Sequence, residues 1–301
     1  MSSSILQAMV DGERLDVRVA REFHLSRRRA QDAIGAGQVD VGSTCIRDPG
    51  RRVEAVELVS FHPNRRREQA IRLSLPCAYQ ADDLVVVDKP AGLLTVPTDG
   101  HSDDDCVLNR LRADLTRVRG RQAYVGALHR LDRGTSGLVA IALSRECHAQ
   151  GRAAFRDHAF VRRYLALVEG VPKAAAGTID LPIADEYESG KRHIARDGDE
   201  PSRHAVTHYR VKERFAGAAL LELELETGRQ HQIRLHLRAL GHPIIGDSVY
   251  GAKGRARDGR PFLHACMLAF PHPLTGQPID CESDPPSDFA AALNRLRARK
   301  A

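Results

Sequence analysis

Apolar residues first recur at helical spacing, at Leu15, Val19 and Phe23. Ser26 is placed to cap a second helix over 27–34, which Gly35 and Gly37 end. Two short apolar runs, 39–41 and 56–59, predict strands. The polar stretch HPNRRREQ at 62–69 contains Pro63 and reads as a linker. Beyond it the pattern is mostly β. Buried strands are predicted over 84–87, ended by Lys89, Pro90 and Gly92, and over 138–143. Residues 164–168 and 204–211 predict further strands, and strict Leu/Glu alternation over 220–226 predicts a half-buried one. Helices are predicted over 106–115 and from the Ser144 cap to about 158.

A third pattern occupies 226–251, ETGRQHQIRLHLRALGHPIIGDSVYG. Thr227 and Gln230 fit a capping box, so a helix is expected from about Gly228, with Arg229 in its first turn. Ile233, Leu237 and Leu240 fall on its core face, and Gly241 followed by His242 and Pro243 ends it. The proline-rich stretch that follows is turn-rich. Residues 294–301 are basic and expected to fray.

Composition narrows the class. The 301 residues are 42% apolar, enough for a sizeable core, and carry a net charge of +6 with pI near 9.1. Much of the positive charge is arginine, which suits phosphate contact and points to a nucleic-acid partner. Six scattered cysteines form no CxxC pair, so no structural zinc is expected. The chain opens polar and has no apolar run of membrane-spanning length. Free thiols in a reducing cytoplasm are the expectation.

Candidate chemistry centres on GALHRLDRGTSGLVAIALS, residues 126–144. It sets Asp132 between Arg130 and Arg133 on a tight loop before an apolar strand. A carboxylate there can be a nucleophile or a base without metal or cofactor. Arg234, one turn into the later helix, is placed to reach such a loop, and a buried arginine needs a carboxylate. Ser136 lies outside the G-x-S-x-G elbow pattern and is expected to bond its own loop backbone. His231 and His236 are five apart, not the four of helical zinc pairs, so no metal is expected. His101 with Asp103–Asp105 reads as a solvated loop. In FVRRYLALVEG, residues 160–170, Tyr164 heads an apolar strand beside Arg162 and Arg163, where a flat ring can stack on a nucleobase.

These segments together resemble the RluA-type pseudouridine synthases. HRLDRGTSGL, RRYLALVEG and TGRQHQIRLHLRALGHPIIGDSVYG are similar to that family's aspartate, tyrosine and arginine motifs. FLHACMLAFPHPLTG is similar to its closing signature, and the likeness runs from Tyr79 to Phe289. Arg162 and Arg163 stand where a lysine is common, and Gln230 where the family has a threonine. Residues 1–62 resemble the small RNA-binding domain named after ribosomal protein S4, through Arg14-Leu15-Asp16, Ser26-Arg27 and the turn and strand at 37–41.

The resemblance implies an α+β fold: a mixed, mainly antiparallel, bent sheet with flanking helices and a central catalytic cleft, preceded by the S4-like domain. The expected organisation is 1–62 S4-like, 63–78 linker and entry strand, 79–290 catalytic domain and 291–301 basic tail. It implies an isomerase that turns uridine into pseudouridine in RNA without a cofactor. Asp132 would be the catalytic aspartate. Tyr164 would stack on the target base and Arg234 would pair with Asp132 and keep it ionised. Arg130 would fill the gap left by the flipped nucleotide. Arg229, Arg27 and Arg28 would bind substrate RNA. The S4-like segment favours large-subunit ribosomal RNA. Transfer RNA as target and a non-catalytic RNA-binding or assembly factor are the alternatives. No obligate protein partner and no membrane are implied.

Overall fold

A computed structural model describes residues 12–63 except 43 and 47, 73–119 except 99, 122–185, 192–251 except 197 and 200, and 259–299. The chain divides into two compact units, Met1–Arg72 and Leu73–Ala301. Most of the expected linker, 64–72, lies outside the described residues.

In the first unit, β1 (Glu13–Arg14) leads into α1 (Leu15–Glu22), then α2 (Arg27–Gly35), β2 (Val39–Val41), β3 (Thr44–Cys45), β4 (Arg52–Val53) and β5 (Val59–Phe61). The Ser26 hydroxyl accepts from Arg29 N at 3.2 Å, the expected cap. Leu15, Val19, Ala30, Ile34, Val39 and Val53 form its core. Asp16 is fully buried and gathers Arg14 at 3.0 Å, Arg27 at 3.1 Å and Gln31 at 2.7 Å. These hydrogen bonds, Arg14 foremost, hold its carboxyl well below the usual range. One expectation fails here. Val56 is 93% exposed in a turn closed by Glu57 N to Glu54 O, and the strand is Val59–Phe61.

The second unit runs β6 (Cys77–Gln80), β7 (Leu84–Lys89), α3 (Val107–Arg119), β8 (Gly126–Ala127), β9 (Ser136–Ala142), α4 (Arg145–Arg156) and β10 (Val161–Glu169). It continues with β11 (Ala176–Asp180), β12 (Ile183–Asp185), β13 (Arg192–Ile194), β14 (Ser202–Arg203), β15 (Val206–Phe215) and β16 (Ala218–Leu225). Last come α5 (Gln232–Ala239), β17 (Leu263–Pro271), β18 (Pro278–Glu282) and α6 (Ser287–Ala298). The main sheet has the order β11-β15-β16-β10-β17-β9-β7-β6, with β18 on β17 and β8 on β9. Its ladders are antiparallel except β9 with β17. This is the mixed, mainly antiparallel α+β fold that the resemblance implies.

The fully buried β9 explains its unbroken apolar run, since both faces of that strand are covered. Gly137 lies at φ 108°, and a Cβ there would stand 2.2 Å from Ala265 O. Only glycine lets β9 approach β17 there.

The C-terminus departs from expectation. Residues to Ala298 form α6, with Phe289, Ala292 and Leu293 buried against Leu167, Phe215 and Leu220. The apolar stripe at spacings of three and four outweighs the basic residues between. Among the described residues, no helix is long and apolar enough to cross a membrane.

Candidate active site

A cleft of about 260 Å³ opens beside β10 and α5. Asp132, Tyr164, Arg234, Arg130 and Arg229 all line it, as do His129, Thr135, Phe155, Arg162 and His231.

The Asp132 loop joins β8 to β9 and is held at its backbone. Thr95 Oγ1 donates to Leu131 O at 2.8 Å and accepts from Leu131 N at 3.1 Å. Arg133 O accepts from Gly92 N at 2.7 Å and Lys89 Nζ at 3.3 Å. Lys89 is fully buried, and burial pushes its pKa down to about 8 against the upward pull of Asp132. Arg133 Nε donates to Gly92 O at 3.0 Å, which gives this residue a structural task. Asp132 itself keeps 23% of its side-chain surface open to the cleft.

Arg234 makes the expected pair with Asp132, but as the weaker of two. Its main partner is Asp247: Nε donates to Oδ2 at 2.7 Å and Nη2 to Oδ1 at 2.8 Å, a fork-to-fork pair. Nη1 reaches Asp132 Oδ2 by a single longer bond of 3.3 Å. Asp247 also accepts from Val249 N and Tyr250 N, both at 3.0 Å. Burial pulls its pKa up, but the Arg234 bonds prevail and the carboxyl stays below its ordinary value. The Tyr250 ring lies 4.8 Å from the Arg234 guanidinium carbon, and its hydroxyl meets His231 Nδ1 at 2.9 Å. Burial lowers the His231 pKa despite Asp132, whose Oδ2 stands 3.8 Å from Nε2.

The start of α5 is corrected. The helix begins at Gln232 behind His231, whose φ is 59°, so Arg229 precedes it rather than sitting in its first turn. The capping-box role falls to Gln232. Its Oε1 accepts from Arg229 N and Thr227 Oγ1, both at 2.9 Å, and its Nε2 donates to Val206 O at 2.9 Å. Gln230, itself exposed, accepts from half-buried Arg192 at 3.2 Å instead. The shorter helix leaves 228–231 as a loop along the cleft.

On β10 the strand alternation puts Arg162 and Tyr164 on the same buried face. The ladder with β17 shifts register between Arg163 and Tyr164, a bulge of the kind that re-aims side chains near sites. Tyr164 is 6% exposed, and burial raises its pKa against Arg162, so it is a neutral phenol. Behind it His129 lies parallel to Phe155, with ring centres 5.6 Å apart, and accepts from Ala140 N at 3.2 Å. Burial pushes His129 down to about 3, so it is neutral.

Ser136 departs from its expected backbone bond. It is buried and meets His264 Nδ1 at 3.0 Å, while His264 Nε2 faces Ser283 O at 3.0 Å. Arg130 is exposed at the cleft. In the first unit, Arg28 is exposed, while Arg27 is tied to Asp16.

Sequence reading missed Asp247, Tyr250, His129 and the burial of Arg162. Asp247 was visible in GDSVYG, an acid just past an apolar stretch. Arg162 was visible two positions before Tyr164 in a strand. Among the described residues, no cluster of His, Cys, Asp or Glu could hold a metal ion.

Residues 83–239 match the RNA pseudouridylate synthase family. The chain is 33% identical to ribosomal large subunit pseudouridine synthase D of Zymomonas mobilis, over 95% of this chain and 94% of that one. It is 37% identical to an uncharacterized RNA pseudouridine synthase of Mycobacterium bovis, covering 95% of both. Among solved structures, human RNA pseudouridylate synthase domain containing 4 aligns with TM-score 0.62 and 28% identity, over 73% of this chain and 92% of that one. The fold is that of an RNA-modifying isomerase. The chain belongs to the pseudouridine synthase family.

Proposed function

We propose that this chain isomerises uridine to pseudouridine in large-subunit ribosomal RNA, with Asp132 as the catalytic carboxylate. The observation that carries the reading is the convergence of Asp132, Tyr164 and Arg234, from three distant segments, on one cleft. The names of relatives such as the Zymomonas mobilis protein support the ribosomal target. A uridine must leave its stack to enter the cleft, at roughly a few kcal/mol. Exposed Arg130 fills the vacated space, and Tyr164 stacks on the flipped base. The pair Arg234–Asp247 fixes the guanidinium that faces Asp132. Arg229, on the loop before α5, contacts RNA at the cleft edge. The first unit is S4-like and adds phosphate contacts through Arg28, with Arg27 contributing less because Asp16 holds it. The reaction needs no cofactor and runs in the cytoplasm.

The deciding experiment is Asp132→Asn, assayed by tritium release from C5-labelled RNA. Conversion is lost while RNA binding persists; full activity in the variant overturns the assignment. Mapping pseudouridines in ribosomal and transfer RNA, with and without the gene, tests the target. A missing site in transfer RNA alone, or no missing site, favours the alternatives. Arg28→Ala flattens the salt dependence of RNA binding by about 1 in log–log slope, and an unchanged slope removes it from the interface.

A further inference from the structure

Two buried arginines border the cleft, and among the described residues only one has a counter-ion. Arg234 is neutralised by Asp247 and Asp132. Arg162 is 6% exposed, and among the described residues no carboxylate pairs with it. Its Nη2 makes two long bonds, to Leu225 O and Glu226 O at 3.3 Å each. Its Nε is buried without any acceptor. The guanidinium rests 4.7 Å from the centre of the Phe155 ring. Nη1 lies against Gly228, where a Cβ would stand 2.7 Å from it. Burying an unpaired cation costs several kcal/mol, and here burial does pull the guanidinium pKa down. Thr135 Oγ1, a second buried atom without a partner, borders the same cleft. Buried charges are normally paired, and both Arg162 and Thr135 line the cleft, so an anionic ligand there would supply the partner that the guanidinium lacks.

The chemistry of the reaction names that ligand. Breaking the N1–C1′ bond of uridine leaves both bond electrons on the base. Uracil departs as a monoanion with its charge spread over N1, O2 and O4. The electron-poor sugar is taken up by Asp132, by bonding at C1′ or by giving it a sugar proton. The base then turns and C5 joins C1′. One proton leaves C5 and one is gained at N1, so the product is an isomer. Between the two bonds the uracil anion is held by no covalent tie.

We propose that Arg162 is the electrostatic partner of the departing uracil, its unpaired guanidinium binding the carbonyl oxygens of the monoanion as the N1–C1′ bond breaks. This rests on the isomerase reading of the cleft given above. A buried cation without a counter-ion stabilises developing negative charge far better than a neutralised one. Arg234 shares its charge with two carboxylates and is unsuited to that task.

The test is single-turnover conversion of an unmodified large-subunit ribosomal RNA transcript, made with uridine or with 5-fluorouridine. Fluorine makes the base a better leaving group. It blocks proton loss from C5, so the readout is loss of the N-glycoside by mass spectrometry of digested RNA. Arg162→Met slows uridine cleavage by about 100-fold, with RNA affinity within about threefold of the wild type. The deficit shrinks by about fivefold or more on 5-fluorouridine, and Arg162→Lys restores part of the rate. Gly228→Ala, which displaces Nη1 without removing charge, shows a smaller deficit with the same fluorine dependence. It carries the test if Arg162→Met does not fold. Equal deficits on the two bases, or a wild-type rate in Arg162→Met, overturn the proposal. A wild-type protein that converts neither RNA overturns the large-subunit ribosomal target on which this test rests, and the role of Arg162 is then read by the same comparison on the RNA the protein does convert.

Discussion

The two walls of the cleft handle buried charge in opposite ways. On the α5 side, Arg234 is locked by a bidentate carboxylate, Asp247, which is itself held by two backbone N–H groups. On the β10 side, Arg162 has only carbonyls and an aromatic ring among the described residues. A paired guanidinium is a rigid positioning element with little net charge to offer. An unpaired one keeps its full charge at the expense of desolvation. The contrast teaches that the position of a cation and its availability are separate properties, and that counting arginines around a carboxylate does not distinguish them.

The comparison breaks most readily at Asp247. Asp247→Asn leaves Arg234 with Asp132 alone, and removing one partner of a buried pair typically costs about 3–5 kcal/mol. Urea unfolding should show that loss, with activity falling alongside it. A loss under about 1 kcal/mol would mean the α5 wall does not depend on its ion pair. Gln232→Met comes next. It strips acceptors from Arg229 N and Thr227 and a donor from Val206 O, all at 2.9 Å in the buried start of α5. Unfolding should show a loss of about 2–3 kcal/mol, because the buried Val206 carbonyl and Thr227 hydroxyl are left unsatisfied.

How far the sequence carries can be judged from the same two walls. The apolar strand headed by Tyr164 and the apolar face of Ile233 and Leu237 are legible, since buried segments show such runs and spacings. The Asp132 loop is legible too, as a polar break ahead of a fully buried strand. The partner of Arg234 is not. A guanidinium needs a carboxylate, and both Asp132 and Asp247 satisfy that requirement until the fork geometry chooses. The burial of Arg162 is likewise hidden, because arginine beside arginine reads as a solvated pair. Only the strand's phase shows that Arg163 turns out to meet Glu224 at 2.9 Å while Arg162 turns in. The α6 stripe of Phe289, Ala292 and Leu293 was legible in principle but masked by the charges interleaved with it.

His129 sharpens the picture of the β10 wall through pH. Its pKa is about 3 when folded, below the ordinary value of 6.5, because burial disfavours the charged ring. Between those values the unfolded chain binds a proton that the native protein does not. Stability from this group is therefore complete above pH ~6.5 and is lost as pH falls toward the folded value, by up to about 1.4 kcal/mol per pH unit. His129→Gln removes the titration. Its urea midpoint should fall less steeply between pH ~6 and 4 than that of the wild type. Parallel slopes would mean that His129 is protonated in the native protein, which would add a second cation beside Arg162.

The smallest effect separates two glutamines only two positions apart. The T-x-x-Q spacing made Gln230 the natural cap for a helix starting near Gly228. In the folded chain the loop 228–231 stays irregular, and Gln232 takes that work from inside the first turn. Gln230 is exposed, with half-buried Arg192 as its partner at 3.2 Å. Gln230→Ala should therefore change stability by less than about 0.5 kcal/mol, against the much larger loss for Gln232→Met. If the two variants cost the same, the helix starts a turn earlier than described. Arg229 would then be a helical residue, and the cleft edge it lines would need redrawing.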